Sequence, residues 1–149
     1  MNNGFLIQPF HLDDSLSQQV DEKNWIEIDR AFQKLTKADG ELFKFLSSYK
    51  SFQSIEFIIS YRDATNDWEE DGIWHDDGSR ILAFSLSLTK VKPEGGFLGI
   101  RKKGEESFVS IPTPDYGKMI IFKTGVEGYE HKIHRVTKGS RLIIAGWCS

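Results

Sequence analysis

HKIHRVTKGSRLIIAGWC, residues His131 to Cys148, reads as a strand, a tight reversal and a second strand. Lys138-Gly139-Ser140 supplies the glycine and small polar residue that such a reversal favours. Side chains alternate along a strand, so Arg141, Ile143, Ala145 and Trp147 share one face: a guanidinium followed by an apolar wall. The same period of two extends upstream as far as Ser51, with candidate strands at Phe52–Arg62, Gly72–Asp76, Ile81–Thr89, Gly96–Lys102, Ser107–Ile111, Lys118–Lys123 and Glu130–His134. Asp76-Asp77-Gly78-Ser79, Pro93-Glu94-Gly95-Gly96, Lys103-Gly104 and Pro112-Thr113-Pro114-Asp115 punctuate them. About eight short strands at this spacing predict a sandwich or barrel, and a jelly roll has that strand count.

Ahead of Ser51 the period is helical. Trp25, Ile28, Phe32 and Leu35 form one stripe of an amphipathic helix, and Leu42, Phe43, Phe45 and Leu46 give a second, shorter apolar face after Asp39-Gly40. Helices first and strands afterwards argue against alternating β-α-β units. The expectation is a single domain over 1–149, mainly β (α+β), with a jelly-roll core over about 51–149 and a helical buttress over about 13–50.

Composition narrows the function classes. A chain of 149 residues, 39% hydrophobic and 28% charged, can bury one core and is not of disordered type. A net charge of −3 gives no basic field, so neither nucleic acid nor anionic lipid is an expected partner; Arg101-Lys102-Lys103 reads as a solvated strand end. The single cysteine, Cys148, excludes an internal disulfide and a multi-cysteine zinc site. Met1–Phe10 lacks a signal-peptide pattern and no apolar run reaches membrane-spanning length, which predicts a cytoplasmic protein with no membrane partner.

Chemistry is carried by few residues. The histidines are His11, His75, His131 and His134. On a strand, His75 and Asp77 point to one face and Asp76 to the other. One imidazole and one carboxylate converge there, and a second imidazole from a distant strand would complete a facial triad, which leaves neighbouring positions open on iron(II). His-x-Asp alone is a weak signal. The stretch opening at His131 adds that second imidazole, with Arg141 as a fork for a carboxylate of a dianionic co-substrate.

From Ile73 to Trp147 the chain resembles the 2-oxoglutarate- and iron(II)-dependent dioxygenase superfamily, in particular its prolyl-4-hydroxylase-like branch. That branch shows His-x-Asp, a Gly-Gly-x-Leu strand, a Pro…Gly…aliphatic-Phe strand, and His-x-Val-x-Pro-Val-x-x-Gly-x-Arg leading into an aliphatic strand ending near Trp. The corresponding elements here are His75-Asp76-Asp77, Gly95-Gly96-Phe97-Leu98, Pro112 through Gly117 to Ile120-Ile121-Phe122, and His131 to Arg141 with Val136 and Gly139 in register. Arg135 stands in place of the family proline and Ile133 in place of its valine.

The resemblance implies a hydroxylase that uses iron(II), 2-oxoglutarate and dioxygen, with ascorbate as a supporting reductant. It implies His75, Asp77 and His131 as metal ligands and Arg141 as the co-substrate anchor. His134 rivals His131, but the family places its arginine ten positions after the ligand, as Arg141 follows His131. Tyr61 is the nearest match to a tyrosine with which relatives hold the far carboxylate. Ser85, on the small-residue face Ala83, Ser85, Ser87, Thr89, would offer a hydrogen bond in the pocket, unless that face is simply solvated. The polar loop Asp63–Asp71, carrying Trp68, is a candidate lid. Its acidity suggests a basic or polar substrate, either a protein or peptide side chain or a small molecule. The competing reading is a cupin-like jelly roll that binds a metal or small molecule without 2-oxoglutarate; a cupin metal site has no need of Arg141.

Overall fold

Asp13 and Asn24 stand where two helices begin. The Asp13 carboxylate accepts the Leu16 amide at 2.8 Å and the Asn24 side chain accepts that of Glu27 at 3.4 Å, so each satisfies a donor that has no partner within its helix. The helices are α1 (Asp14–Asp21), α2 (Trp25–Thr36) and α3 (Glu41–Ser47). Ile28 and Phe32 of α2 and Leu42 and Leu46 of α3 are fully buried. Removing each such side chain from water is worth about 1.5–3 kcal/mol. This computed structural model describes residues 1, 3–65 and 72–149.

The strands are β1 (Phe5–Pro9), β2 (Ile55–Asp63), β3 (Leu82–Ser87), β4 (Glu94–Gly95), β5 (Leu98–Lys102), β6 (Val109–Ile111), β7 (Lys118–Phe122), β8 (Tyr129–Ile133), β9 (Val136–Lys138) and β10 (Ser140–Cys148). An antiparallel sheet runs β1-β7-β3-β10-β2, and facing it are a sheet β6-β5-β8 and a ribbon β4-β9. Alternation sorts the side chains into two cores. Leu82, Phe84, Leu86, Met119, Ile121, Leu142 and Ile144 pack against the helices. Ala83, Ile120 and Phe122 face inward against Leu98, Ile100, Ile111 and Tyr129 of the smaller sheet. The result is the predicted mainly-β jelly roll with its helical buttress, and the space between the sheets is where a site can open.

Several local expectations need correcting. Met1–Phe10 holds an edge strand, β1, paired with β7. Lys138, read as part of a turn, ends β9, which pairs across a bulge with β4; Gly95 (φ +75°) is required there because a Cβ would stand 2.3 Å from the Arg135 carbonyl oxygen. Gly72–Asp76 is not a strand; it keeps only one bridge, His75 to His131. Ser85, Ser87 and Thr89 are buried, so the solvated-face reading of that strand fails. Arg101 pairs with Glu130 at 2.6 Å and Lys103 with Asp76 at 2.6 Å, so the basic run is tied down at both ends. The candidate lid falls largely on 66–71, outside the described residues, as does Trp68. Among the described residues no helix is long and apolar enough to cross a membrane.

Gly146 of β10 is the tightest point of the sheet. A Cβ there would lie 2.2 Å from the Phe84 ring, itself 1% exposed and wedged among core side chains. Gly146→Ala is expected to destabilise the fold by about 1–3 kcal/mol through overpacking, measured as a lowered midpoint in thermal or urea unfolding.

Candidate active site

Three side chains from two distant parts of the chain, the His75–Asp77 bend and β8, meet at the open end of the inter-sheet space. His75, Asp77 and His131 each present a ligand atom, all within 4.8 Å of one another. Asp77 Oδ1 is 3.6 Å from His75 Nε2 and Asp77 Oδ2 is 3.1 Å from His131 Nε2. His131 is carried by β8, paired to β5, and is 5% exposed; its ring packs edge-on against Phe122 at 4.9 Å. His75 is locked to it by reciprocal backbone bonds, His75 N–H to the His131 carbonyl at 3.0 Å and the reverse at 2.8 Å.

Convergence of His75 and Asp77 does not come from strand alternation. The Asp76 side chain accepts the Gly78 amide at 2.9 Å in a local turn, and Asp77 takes a left-handed conformation at φ 59°. That bend swings the Asp77 carboxylate back toward the imidazoles. Few non-glycine residues adopt this region, and those that do are concentrated at functional sites.

His75 Nδ1 lies 2.8 Å from the Ile73 carbonyl oxygen, which occupies that nitrogen and leaves Nε2 as the ring atom facing Asp77. Burial works to raise the Asp77 carboxyl, but the hydrogen bond and charge of His131, the Trp147 N–H and the charge of His75 outweigh it and hold the group below its ordinary value. Two imidazoles and one carboxylate on a half-open face match the donor set of the iron(II) facial triad, whereas a structural zinc site would be closed by four ligands.

His134 does not join them. It stacks on Phe108 at 5.6 Å on the outer side of the smaller sheet, and its Nε2 lies against Gly99. Burial, aided by Lys132, lowers its basicity. His11 lines a separate groove of about 520 Å³ against α1 and α2.

Beside the triad opens a cleft of about 360 Å³. Arg141, Ile143, Ala145 and Trp147 line one wall, as alternation along β10 predicts, and Ser85, Leu98, Phe122 and Ile133 contribute to the rest. Arg141 is 3% exposed. Gly96 (φ +70°) makes room for its stem, since a Cβ there would be 3.1 Å from Arg141 Cδ. Ser85 Oγ is buried with no hydrogen-bond partner among the described residues, so a polar atom is left for something placed in the cleft.

Tyr61 is a correction. It pairs with Leu142 on the helix-facing side of β2, tilts against the Trp25 ring at 5.7 Å, and its hydroxyl accepts from Lys23 at 3.3 Å. Hydrogen bonds from Ser140 and Lys23 hold its hydroxyl below the ordinary tyrosine range. The β2 side chains that reach the cleft are Ile58 and Ser60, one position out of phase with it. Sequence reasoning missed these two, and it missed the Trp147 indole N–H, which donates to Asp77 Oδ2 at 2.8 Å. Alternation put Trp147 on the right face, but nothing local couples it to an acid in a distant loop.

Residues 58–149 match the family model of the 2OG-Fe(II) oxygenase superfamily. A PKHD-type hydroxylase of Prochlorococcus marinus (strain MIT 9515) is 27% identical over 125 residues, covering 81% of this chain and 54% of that protein. The chain therefore spans about half the length of this curated relative. In fold it is similar to a prolyl-4-hydroxylase from Pseudomonas putida (TM-score 0.62, 14% identity, 98% of this chain and 88% of that one). It is similar also to a prolyl hydroxylase from Trichoplax adhaerens solved with a hypoxia inducible factor peptide fragment (TM-score 0.60, 16% identity, 98% and 83%).

Proposed function

Because the chain belongs to the 2OG-Fe(II) oxygenase superfamily, we propose that it is an iron(II) dioxygenase that couples oxidative decarboxylation of 2-oxoglutarate to hydroxylation of a substrate carbon. The observation that carries this is the meeting of His75, Asp77 and His131 at the mouth of a cleft that also holds the buried Arg141. His75 Nε2, His131 Nε2 and the Asp77 carboxylate would hold the metal. When bound, iron(II) would supply the activation of dioxygen, which is the oxidant for both 2-oxoglutarate and substrate.

The chain's own residues do the rest. Arg141 offers a planar fork to the distal carboxylate of the five-carbon diacid, in a setting dry enough for a charge-assisted pair to be strong. Ser85 Oγ supplies a further hydrogen bond from the cleft. Leu98, Phe122, Ile133 and Ile143 keep water from the reacting end. A cleft of about 360 Å³ takes the diacid and one substrate side chain or small group, so a larger substrate would lie outside it.

A protein or peptide side chain is the substrate class we favour, by analogy with the relative solved with a peptide fragment. The chain is a single domain in this reading, supported by the packing of the helical layer on the larger sheet. Ascorbate would serve only to restore iron(II). The cupin-like alternative loses ground to Arg141, because a guanidinium in the cleft wall suits a carboxylate co-substrate and a site that binds metal alone does not call for one.

The direct test is succinate release from 2-oxoglutarate by purified protein with iron(II), ascorbate and air. Slow uncoupled formation is expected without substrate, with acceleration by a peptide library fraction and an added mass of one oxygen on the peptide. No succinate above the metal-only background would overturn the proposal.

A further inference from the structure

Asp77 is the one acid of the triad, and its carboxylate has a single contact among the described residues besides the two imidazoles. Trp147 Nε1–H donates to Asp77 Oδ2 at 2.8 Å, across a separation of 70 residues in sequence. Trp147 sits in β10 between Ala83 of β3 and Glu56 of β2, so its backbone is held from both sides. The same indole is touched a second time by the loop it serves: the Arg80 guanidinium lies 5.5 Å from the ring centroid, and Arg80 itself is 3.6 Å from Glu56. The loop from Asp77 to Arg80 thus rests on Trp147 by its acid and by its cation.

Other anchors act on the loop backbone and not on the carboxylate. The Gly125 amide donates to the Asp76 carbonyl at 2.9 Å and the Thr124 hydroxyl to the Arg80 carbonyl at 2.6 Å. They can hold Asp77 at its unusual φ of 59°, yet they leave the carboxyl free to rotate about its own bond. In the metal-free protein His131 Nε2 helps to stop that rotation at 3.1 Å. Once the imidazole nitrogens give their lone pairs to a metal, they carry no N–H there to donate to the carboxylate. The indole N–H is what remains.

We propose that Trp147 is a positioning residue of the metal centre: its N–H fixes the rotation of the Asp77 carboxylate and engages Oδ2, which keeps the acid a one-oxygen ligand. This rests on the reading of His75, Asp77 and His131 as a metal site. A carboxylate free to turn would bind more weakly and in mixed one- and two-oxygen modes, taking up a position the co-substrate needs.

The test replaces Trp147 with 3-benzothienylalanine, which keeps the fused ring and exchanges the N–H for sulfur; Trp147→Phe is the simpler companion. Cobalt(II) is titrated into wild type and variants, with the dissociation constant read by calorimetry and the ligand field by visible absorption at saturation. The expected result is an affinity lowered about 10–100-fold and an altered saturated spectrum in the benzothienyl protein. A packing role alone would leave that spectrum unchanged. Wild-type affinity and spectrum in the benzothienyl protein overturn the proposal while the metal site stands. Failure of the wild type to bind cobalt(II) overturns the metal site and the proposal together.

Discussion

Asp77→Ala is expected to lower iron(II) affinity by at least about a hundredfold and to remove succinate formation with it, since loss of a direct ligand should exceed the 10–100-fold typical of an outer partner. The substitution does more than delete a charge. It leaves the Trp147 N–H without its acceptor at 2.8 Å and two imidazoles facing each other at a ring separation of 4.3 Å with nothing anionic between them. Metal-free stability should fall as well, by about 1–3 kcal/mol for the stranded donor. Asp77→Asn separates the two effects: an amide oxygen can still accept from Trp147, so stability should recover while iron(II) binding remains poor. Calorimetric metal titration and urea unfolding on the three proteins decide this. An Asp77→Ala protein that binds iron(II) like wild type would remove the carboxylate from the site.

Arg141→Ala is the second large effect, and its signature is different. Arg141 is buried in the cleft wall and is not a ligand, so metal affinity should stay near that of wild type. What is lost is a paired, desolvated guanidinium facing a carboxylate, worth about 1.5–3 kcal/mol or more, which is roughly 10–150-fold in the 2-oxoglutarate dissociation constant. Arg141→Lys should recover only part of this, because an ammonium cannot reproduce the fork. Steady-state KM for 2-oxoglutarate, measured beside iron(II) affinity, checks both halves. An unchanged KM would mean that the co-substrate lies elsewhere.

The contrast between these two sites explains what could be read from the sequence. Strand period placed Arg141, Ile143, Ala145 and Trp147 on the cleft wall, and the helical stripe through Ile28 and Phe32 placed the buttress, because burial imposes a periodicity that local sequence must carry. The His75–Asp77 pairing was reached for a reason the structure does not bear out. The segment is a bend with Asp77 in the left-handed region, a conformation set by Asp76, Gly78 and long-range bonds to Gly125 and Thr124. Tyr61 was misplaced because a likeness to relatives specifies a residue type and not the register of β2, and a shift of one residue turns a side chain to the other face. β1 escaped notice because five residues at an edge, two of them Gln8 and Pro9, leave little alternation to detect. The Trp147–Asp77 bond joins distant segments, and no local pattern encodes it.

The central claim is that one cleft holds both an iron(II) centre and 2-oxoglutarate, and an anaerobic titration tests it most directly. Iron(II) protein kept free of dioxygen is titrated with 2-oxoglutarate and followed in the visible range. The expected result is a metal-to-ligand charge-transfer band that saturates in wild type, is absent from Asp77→Ala, and needs far more 2-oxoglutarate in Arg141→Ala. Iron(II) bound by the wild type with no band at any 2-oxoglutarate concentration would contradict the account.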